Sequence, residues 1–213
     1  MSDFAVVLSQ GGVVVSILIG LSVIALTVIL VKGWDFLRAR PLSERALDEA
    51  IVACVNRRAV DQLRSADPVA GLLQHMSRLP AVMPANQLRQ ESMRQAQQLM
   101  GLLTGHLRIL EVIANIAPLL GLFGTVLGMI EAFQSMEAAG SQVDPAVLSG
   151  GIWQALLTTA VGLAVAIPTS MSHSWFERCA EVQAHRLQDA MERVFTGLAS
   201  HREEAVLAHA KAA

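Results

Sequence analysis

Charge is scarce in this chain of 213 residues, of which 16 % are Asp, Glu, Lys or Arg; a soluble domain carries about a quarter. Three long stretches have none at all: Phe4 to Val31, Val112 to Ile130, and Pro145 to Phe176. A helix needs about 20 mainly apolar residues to cross the hydrocarbon of a bilayer. The gaps therefore predict three membrane-spanning helices near Gly12–Val31, Val112–Ile130 and Leu148–Ser172, or 12–37, 109–133 and 148–174 with their flanks. None of the three cores contains Asp, Glu, Lys, Arg or His.

Basic residues are missing from two further places, the N-terminal tail (1–11) and the short loop within 134–147. All 16 Lys and Arg fall elsewhere, 11 in Lys32–Arg108 and 5 in Arg178–Lys211. Positive residues hold their segments on the cytoplasmic side. The expected topology has a periplasmic tail and loop, a cytoplasmic helical domain over 38–108 and a cytoplasmic C-terminal helix over 175–213. The first apolar run lacks a positive n-region and is longer than the h-region of a signal peptide, so an uncleaved anchor is expected. Only two cysteines are present, Cys54 and Cys179. Both fall on the predicted cytoplasmic side, where thiols stay reduced, so no disulfide is expected.

Other absences exclude function classes. Net charge is −2, and of the 18 acidic residues the 14 on the predicted cytoplasmic side nearly balance 16 basic ones, leaving no basic field for nucleic acid. No nucleophile elbow, phosphate loop or zinc motif is present; His173 reads as interfacial, beside Trp175, and the other histidines have no metal-ligand spacing. Neither an enzyme, nor a metal, nor a cofactor is expected.

Outside the spans the chain reads as helical. Lys32–Arg40 continues the first helix, with Trp34 at the interface; Ser43 caps a helix reaching Leu63; a short helix covers Val69–Arg78 between turns at Pro68, Pro80 and Pro84. From Asn86 the pattern runs uninterrupted into the second span, which predicts a stalk longer than the membrane is thick. After Trp175 a stripe of Leu187, Met191, Val194, Phe195 and Leu198 keeps helical spacing and demands a partner helix, from this chain or a copy.

The second and third spans each divide into two faces. At 100° per residue, Ala114, Ala117, Pro118, Gly121, Gly124, Thr125, Gly128, Ala132 and Ser135 share one arc, opposite Leu119, Leu120, Phe123, Val126, Leu127 and Ile130. In the third span Gly151, Gln154, Ala155, Thr158, Thr159, Gly162, Ala166 and Thr169 share an arc, interrupted by Val165. Small residues allow close helix packing, which accounts for most of the glycines. A hydroxyl in hydrocarbon bonds either back to its own helix or to a polar lumen. Thr158 fits either account; Thr125 and Thr159, both mid-span on small faces, favour a shared lumen, and with Thr158 and Gln154 they are the expected pore-lining residues. Pro118 and Pro168 free the carbonyls of Ala114 and Ala164, as a simple kink or as polar groups facing that lumen. Intramembrane relays rely on an ionisable group. An ion path lined by these faces needs that group from a second polypeptide.

Two blocks carry a resemblance. Ala117-Pro-Leu-Leu-Gly-Leu-Phe-Gly-Thr-Val-Leu-Gly128, and Gly150-Gly-Ile-Trp-Gln-Ala-Leu-Leu-Thr-Thr-Ala-Val-Gly162 with Ala166-Ile-Pro168, resemble the second- and third-span signatures of the ExbB/TolQ/MotA proton-channel family. Three spans favour the ExbB/TolQ branch, ExbB first and TolQ next. The resemblance implies an all-α inner-membrane protein forming a homopentamer around a central pore. That pore would enclose the single helices of an ExbD/TolR-like partner whose membrane Asp takes up protons. It implies a proton-motive-force-driven motor subunit energising TonB-type outer-membrane transport, with Thr125 and Thr159 at the pore threonines. Gln154 stands where ExbB and TolQ usually carry Glu. The alternatives are a TolQ-like or other stator of the family, or a non-conducting membrane scaffold whose small faces only oligomerise.

Overall fold

The computed structural model describes residues 12–38, 42–56, 58, 60, 67–79, 83–139 and 145–212. The expected N-terminal tail, Pro41, Pro80 and residues 140–144 of the short loop lie outside them. The described residues form six helices: α1 (Gly12–Arg38), α2 (Glu44–Val55), α3 (Pro68–Arg78), α4 (Ala85–Thr104), α5 (Leu107–Ala139) and α6 (Pro145–Ala212). Three of them, α1, α5 and α6, are long and apolar enough to span a bilayer. At about 1.5 Å per residue the 68 residues of α6 measure roughly 100 Å, more than three hydrocarbon thicknesses.

The helices group into two units. The apolar unit joins the first part of α1, up to Lys32, to His106–Phe176. Within it α1 buries Val14, Val15, Leu18, Ala25 and Lys32, and the last three repeat every seventh residue. Lys32, expected to open a solvated extension, is 4 % exposed in line with that stripe. A four-carbon stem lies on apolar surface as readily as on water. Trp34 stays exposed, with the Arg38 guanidinium 4.9 Å above its ring.

The second unit holds the rest of α1, the helices α2 to α4, and α6 beyond Phe176. Its core answers the demand for a partner helix. Leu187, Ala190, Met191 and Val194 of α6 close against Leu47, Ile51 and Cys54 of α2 and against Val69, Leu72, Leu73 and Met76 of α3. The partner is this chain itself. Each large side chain so buried stabilises by about 1.5–3 kcal/mol.

Local chemistry sets the ends. The Ser43 hydroxyl accepts from Ala46 N at 3.3 Å, with Glu44 favourably placed in the first turn of α2. That helix stops at Val55 rather than Leu63. Arg58 N donates back to Ala53 O at 2.9 Å, a bond that closes the helix end. For α3, Asp67 is the cap and Pro68 the first helical residue, where a missing N–H costs nothing. The expected continuity from Asn86 into the second span is found, Asn86–Ala138 running as one helix of 53 residues, with its regular ladder relaxed at Gly105–His106. Gly105 keeps helical dihedrals (φ −54°, ψ −30°), so the relaxation lies in the hydrogen-bond ladder, at a residue type that weakens helices by about 1 kcal/mol.

Candidate ion pathway

The two small-residue faces are brought together. A Cβ added at Gly121 would lie 3.1 Å from Thr158 O and 3.2 Å from Thr159 Cα. One at Gly124 would lie 2.7 Å from the Cβ and Oγ1 of Thr158, and one at Gly128 would lie 3.2 Å from Ala155 Cβ. On the other side, a Cβ at Gly162 would come to 2.7 Å from Ala117 O, and one at Gly151 to 2.5 Å from Ala132 Cβ. Five glycines thus form a seam from Ala117–Gly162 to Ala132–Gly151, with α5 and α6 almost backbone to backbone. Small residues earn their place by that approach. Gly150, beside Gly151 in sequence, faces open space. Val165, which broke the small arc, is buried, and so is Ala166.

The seam takes up the centre of each arc and leaves the hydroxyls at different depths. Thr158 is 3 % exposed, wedged against Gly124. Its Oγ1 lies 2.7 Å from Ala155 O and 3.3 Å from Gly121 O. Thr159, half-buried, donates to the same Gly121 carbonyl at 3.2 Å. Thr125, one turn beyond Gly121 and also half-buried, donates back to Leu122 O at 2.6 Å. Gly121 O is therefore the point where the two helices and the hydroxyls of Thr158 and Thr159 meet. Thr169 is sealed and bonded back to Val165 O at 2.7 Å, while Ser135 is exposed and bonded back to Glu131 O.

Gln154 lies away from this group. Its Nε2 would stand 3.8 Å from a Cβ at Gly12, whose φ of +61° is the left-handed conformation glycine adopts freely. The amide therefore neighbours the first turn of α1, a placement that the two-faced wheel of α6 does not encode. Both α5 and α6 run unbroken through their prolines; Pro118 is half-buried and Pro168 exposed. Opposite the seam, large apolar side chains are turned outward, Leu119 (63 % exposed) and Leu156 (62 %) among them.

Among the described residues no group of His, Cys, Asp and Glu could hold a metal ion. The seam offers hydroxyls and backbone carbonyls only. A hydroxyl both donates and accepts, so it can pass on a hydrogen bond, but it does not titrate near neutral pH. The arrangement can line a proton or ion path and cannot by itself store the charge.

Comparison with known proteins agrees with this chemistry. Residues 68–189 match the MotA/TolQ/ExbB proton channel family. A biopolymer transport protein exbB1 of Vibrio cholerae is 50 % identical over 62 residues, 29 % of this chain and 27 % of that protein. A putative ExbB-like protein 1 of Synechocystis is 32 % identical over 169 residues, 74 % of this chain and 64 % of its own length. The Tol-Pal system protein TolQ of Haemophilus influenzae is 40 % identical over 65 residues, 30 % of this chain and 28 % of that protein. The chain thus spans from about a quarter to just under two thirds of these relatives.

Proposed function

The chain belongs to the MotA/TolQ/ExbB proton channel family, and we propose that it is an ExbB-like subunit of a proton-motive-force-driven motor, energising a TonB-type outer-membrane transport system. The family is one of proton channels, and in this reading the chain conducts protons rather than catalysing a reaction. Within that frame the protein is multi-pass in the bacterial inner membrane. Its Lys- and Arg-rich segments, 32–108 and 178–211, lie in the cytoplasm, and its N-terminus is periplasmic. Five copies surround a pore lined by α5 and α6. The outward apolar faces meet lipid and neighbouring subunits, and the half-buried Thr125 and Thr159 form the polar ring.

One observation carries the reading: the seam sets hydroxyls around the Gly121 carbonyl in spans whose cores hold no ionisable residue. The titrating group comes from elsewhere, an Asp on the single helix of an ExbD/TolR-like partner. Gln154, beside the start of α1, stays neutral throughout the cycle. The resemblance to TolQ supports a second reading, a Tol-type stator with the same membrane chemistry and another downstream machine.

The test is Thr159→Val, read alongside assembly in native gels. Loss of proton-motive-force-dependent function with assembly intact is the expected result. Undiminished function would sink the hydroxyl-lined path and favour a passive scaffold. Co-purification with a single-span, Asp-bearing protein encoded nearby supplies the partner, and depletion of TonB or Tol components separates the two readings.

A further inference from the structure

Two hydroxyls converge on one carbonyl in the seam, and that oxygen cannot serve both. Gly121 lies inside α5, where its oxygen accepts the N–H four residues on, that of Thr125. A carbonyl has two lone pairs. One remains, and both Thr158 Oγ1 (3.3 Å) and Thr159 Oγ1 (3.2 Å) stand within reach of it. Thr158 has a second choice, Ala155 O at 2.7 Å. The shorter bond sends the single hydroxyl hydrogen of Thr158 to Ala155 and leaves Gly121 O to Thr159. A small rotation of Thr158 moves its hydrogen to Gly121 O and displaces that of Thr159.

We propose that Thr158 is the positioning residue for Thr159, the two hydroxyls exchanging the Gly121 carbonyl so that Thr159 alternates between donating into the seam and donating outward. With Thr158 on Ala155 O, Thr159 is held by Gly121 and presents its lone pairs to an incoming donor. With Thr158 on Gly121 O, the hydrogen of Thr159 is free to be given on. A relay hydroxyl must accept on one side and donate on the other, then turn back. The exchange supplies the turn within a sealed contact: Thr158 is 3 % exposed and gripped against Gly124, so solvent does not compete for its hydrogen. The exchange at Gly121 itself makes and breaks only hydrogen bonds; in the relay step one O–H bond forms at Thr159 as it takes the incoming proton, and its original O–H bond breaks as that proton is given on, so the hydroxyl is restored and keeps no charge. The inference rests on Thr159 lying on the ion path, as proposed above.

A crossed pair of substitutions separates hydroxyl from shape. Thr158→Val deletes the hydroxyl and keeps the branch; Thr158→Ser keeps the hydroxyl and deletes the methyl. Proton-motive-force-dependent function is measured for both beside Thr159→Val, in cells producing the full chain with its native neighbours and with assembly followed in native gels. The expected result is a fall of about tenfold or more for Thr158→Val, the worth of one oriented hydrogen bond, with Thr158→Ser within about twofold of the unmodified protein. Function of Thr158→Val within about twofold overturns the proposal, since the hydroxyl is then dispensable. A loss in Thr158→Ser as large as in Thr158→Val also overturns it, because packing alone then explains the site. Should Thr158→Val fail to assemble, Thr158→Ala, which adds no methyl beside Ala155 O, takes its place under the same criteria. Thr159→Val keeps the outcomes distinct. If it is silent, the ion-path reading falls and takes this one with it. If it abolishes function while Thr158→Val is silent, only the exchange fails.

Discussion

Asp67 and Arg186, 119 residues apart, are paired across the second unit, with Arg186 Nη1 3.4 Å from Asp67 Oδ2. The Asp67 side chain is wholly buried, and that of Arg186 is 24 % exposed. The same carboxylate accepts from Leu42 N at 2.7 Å and from Val69 N at 3.0 Å, while Arg186 also donates to Leu42 O at 3.3 Å. One carboxylate thus caps α3, anchors the segment before α2 and fixes both to α6.

Removing that carboxylate is the costliest polar change expected in this unit. Asp67→Ala loses a helix cap, of order 1 kcal/mol, leaves Leu42 N without its acceptor and strips Arg186 of its counter-charge. Breaking a buried pair from one side costs about 3–5 kcal/mol; the partial exposure of Arg186 places this case at the lower end, near 3 kcal/mol. Arg186→Ala costs less, because Asp67 keeps two backbone donors. Thermal unfolding of the detergent-solubilised protein ranks the pair. An Arg186→Ala variant less stable than Asp67→Ala would refute the assignment of Asp67 as the centre of the staple.

Cysteine chemistry gives a second expectation. Cys54 is buried in the α2–α3–α6 core, its thiol donating to Leu73 O at 3.2 Å. Burial pushes its pKa from 9.0 up to about 11. The reactive thiolate is therefore scarce in the folded protein at neutral pH. The sign of the pH dependence follows. With the folded value raised, the contribution to stability is intact below pH 9 and is lost as pH climbs toward 11, where the unfolded chain releases the proton first. Cys179 is more accessible. Maleimide labelling at neutral pH followed by mass spectrometry should modify Cys179 first and reach Cys54 only when the unit unfolds. Equal labelling rates would contradict the burial.

The sequence made some of this legible and concealed the rest, for identifiable reasons. The stripe Leu187–Leu198 was visible because it stands against a polar background, so its period marks a buried face. The stripe Leu18–Ala25–Lys32 of α1 was not: where nearly every residue is apolar, no period distinguishes protein from lipid. The Gly and Thr arcs of α5 and α6 were visible for the opposite reason, since small residues are conspicuous among Leu and Val. The arcs did not reveal that their centres close on each other and sort Thr158 into the seam while Thr125 and Thr159 stay half-buried. Asp67 looked like an ordinary residue before a proline because its partner is far away in the chain. Gln154 shares the small arc of α6 in sequence, but its neighbour Gly12 depends on where α1 packs, which no local pattern encodes. Gly105 lay in a convincingly helical pattern; a lone glycine weakens a ladder without announcing where it relaxes.

The seam itself makes the last prediction, a graded response to adding one methyl group. At Gly162 the new Cβ would meet Ala117 O at 2.7 Å and Gly121 Cα at 3.0 Å, both backbone atoms that cannot rotate away. The helices must part, and overpacking of this kind costs about 1–3 kcal/mol. At Gly124 the obstacle is the Thr158 side chain at 2.7 Å. That side chain can turn, but at the expense of its bonds to Ala155 and Gly121. At Gly150 nothing lies within 4 Å, and exchanging glycine for alanine in a helix is worth up to about 1 kcal/mol in favour of alanine. Thermal unfolding should therefore rank Gly162→Ala as most destabilised, Gly124→Ala next, and Gly150→Ala as unchanged or slightly stabilised. Combining Gly124→Ala with Thr158→Ala should recover part of the lost stability, because the added methyl then fills space that the threonine vacates. A Gly150→Ala variant as damaged as Gly162→Ala would mean that α6 is rotated from the orientation found here, and with it the placement of Thr158 and Thr159.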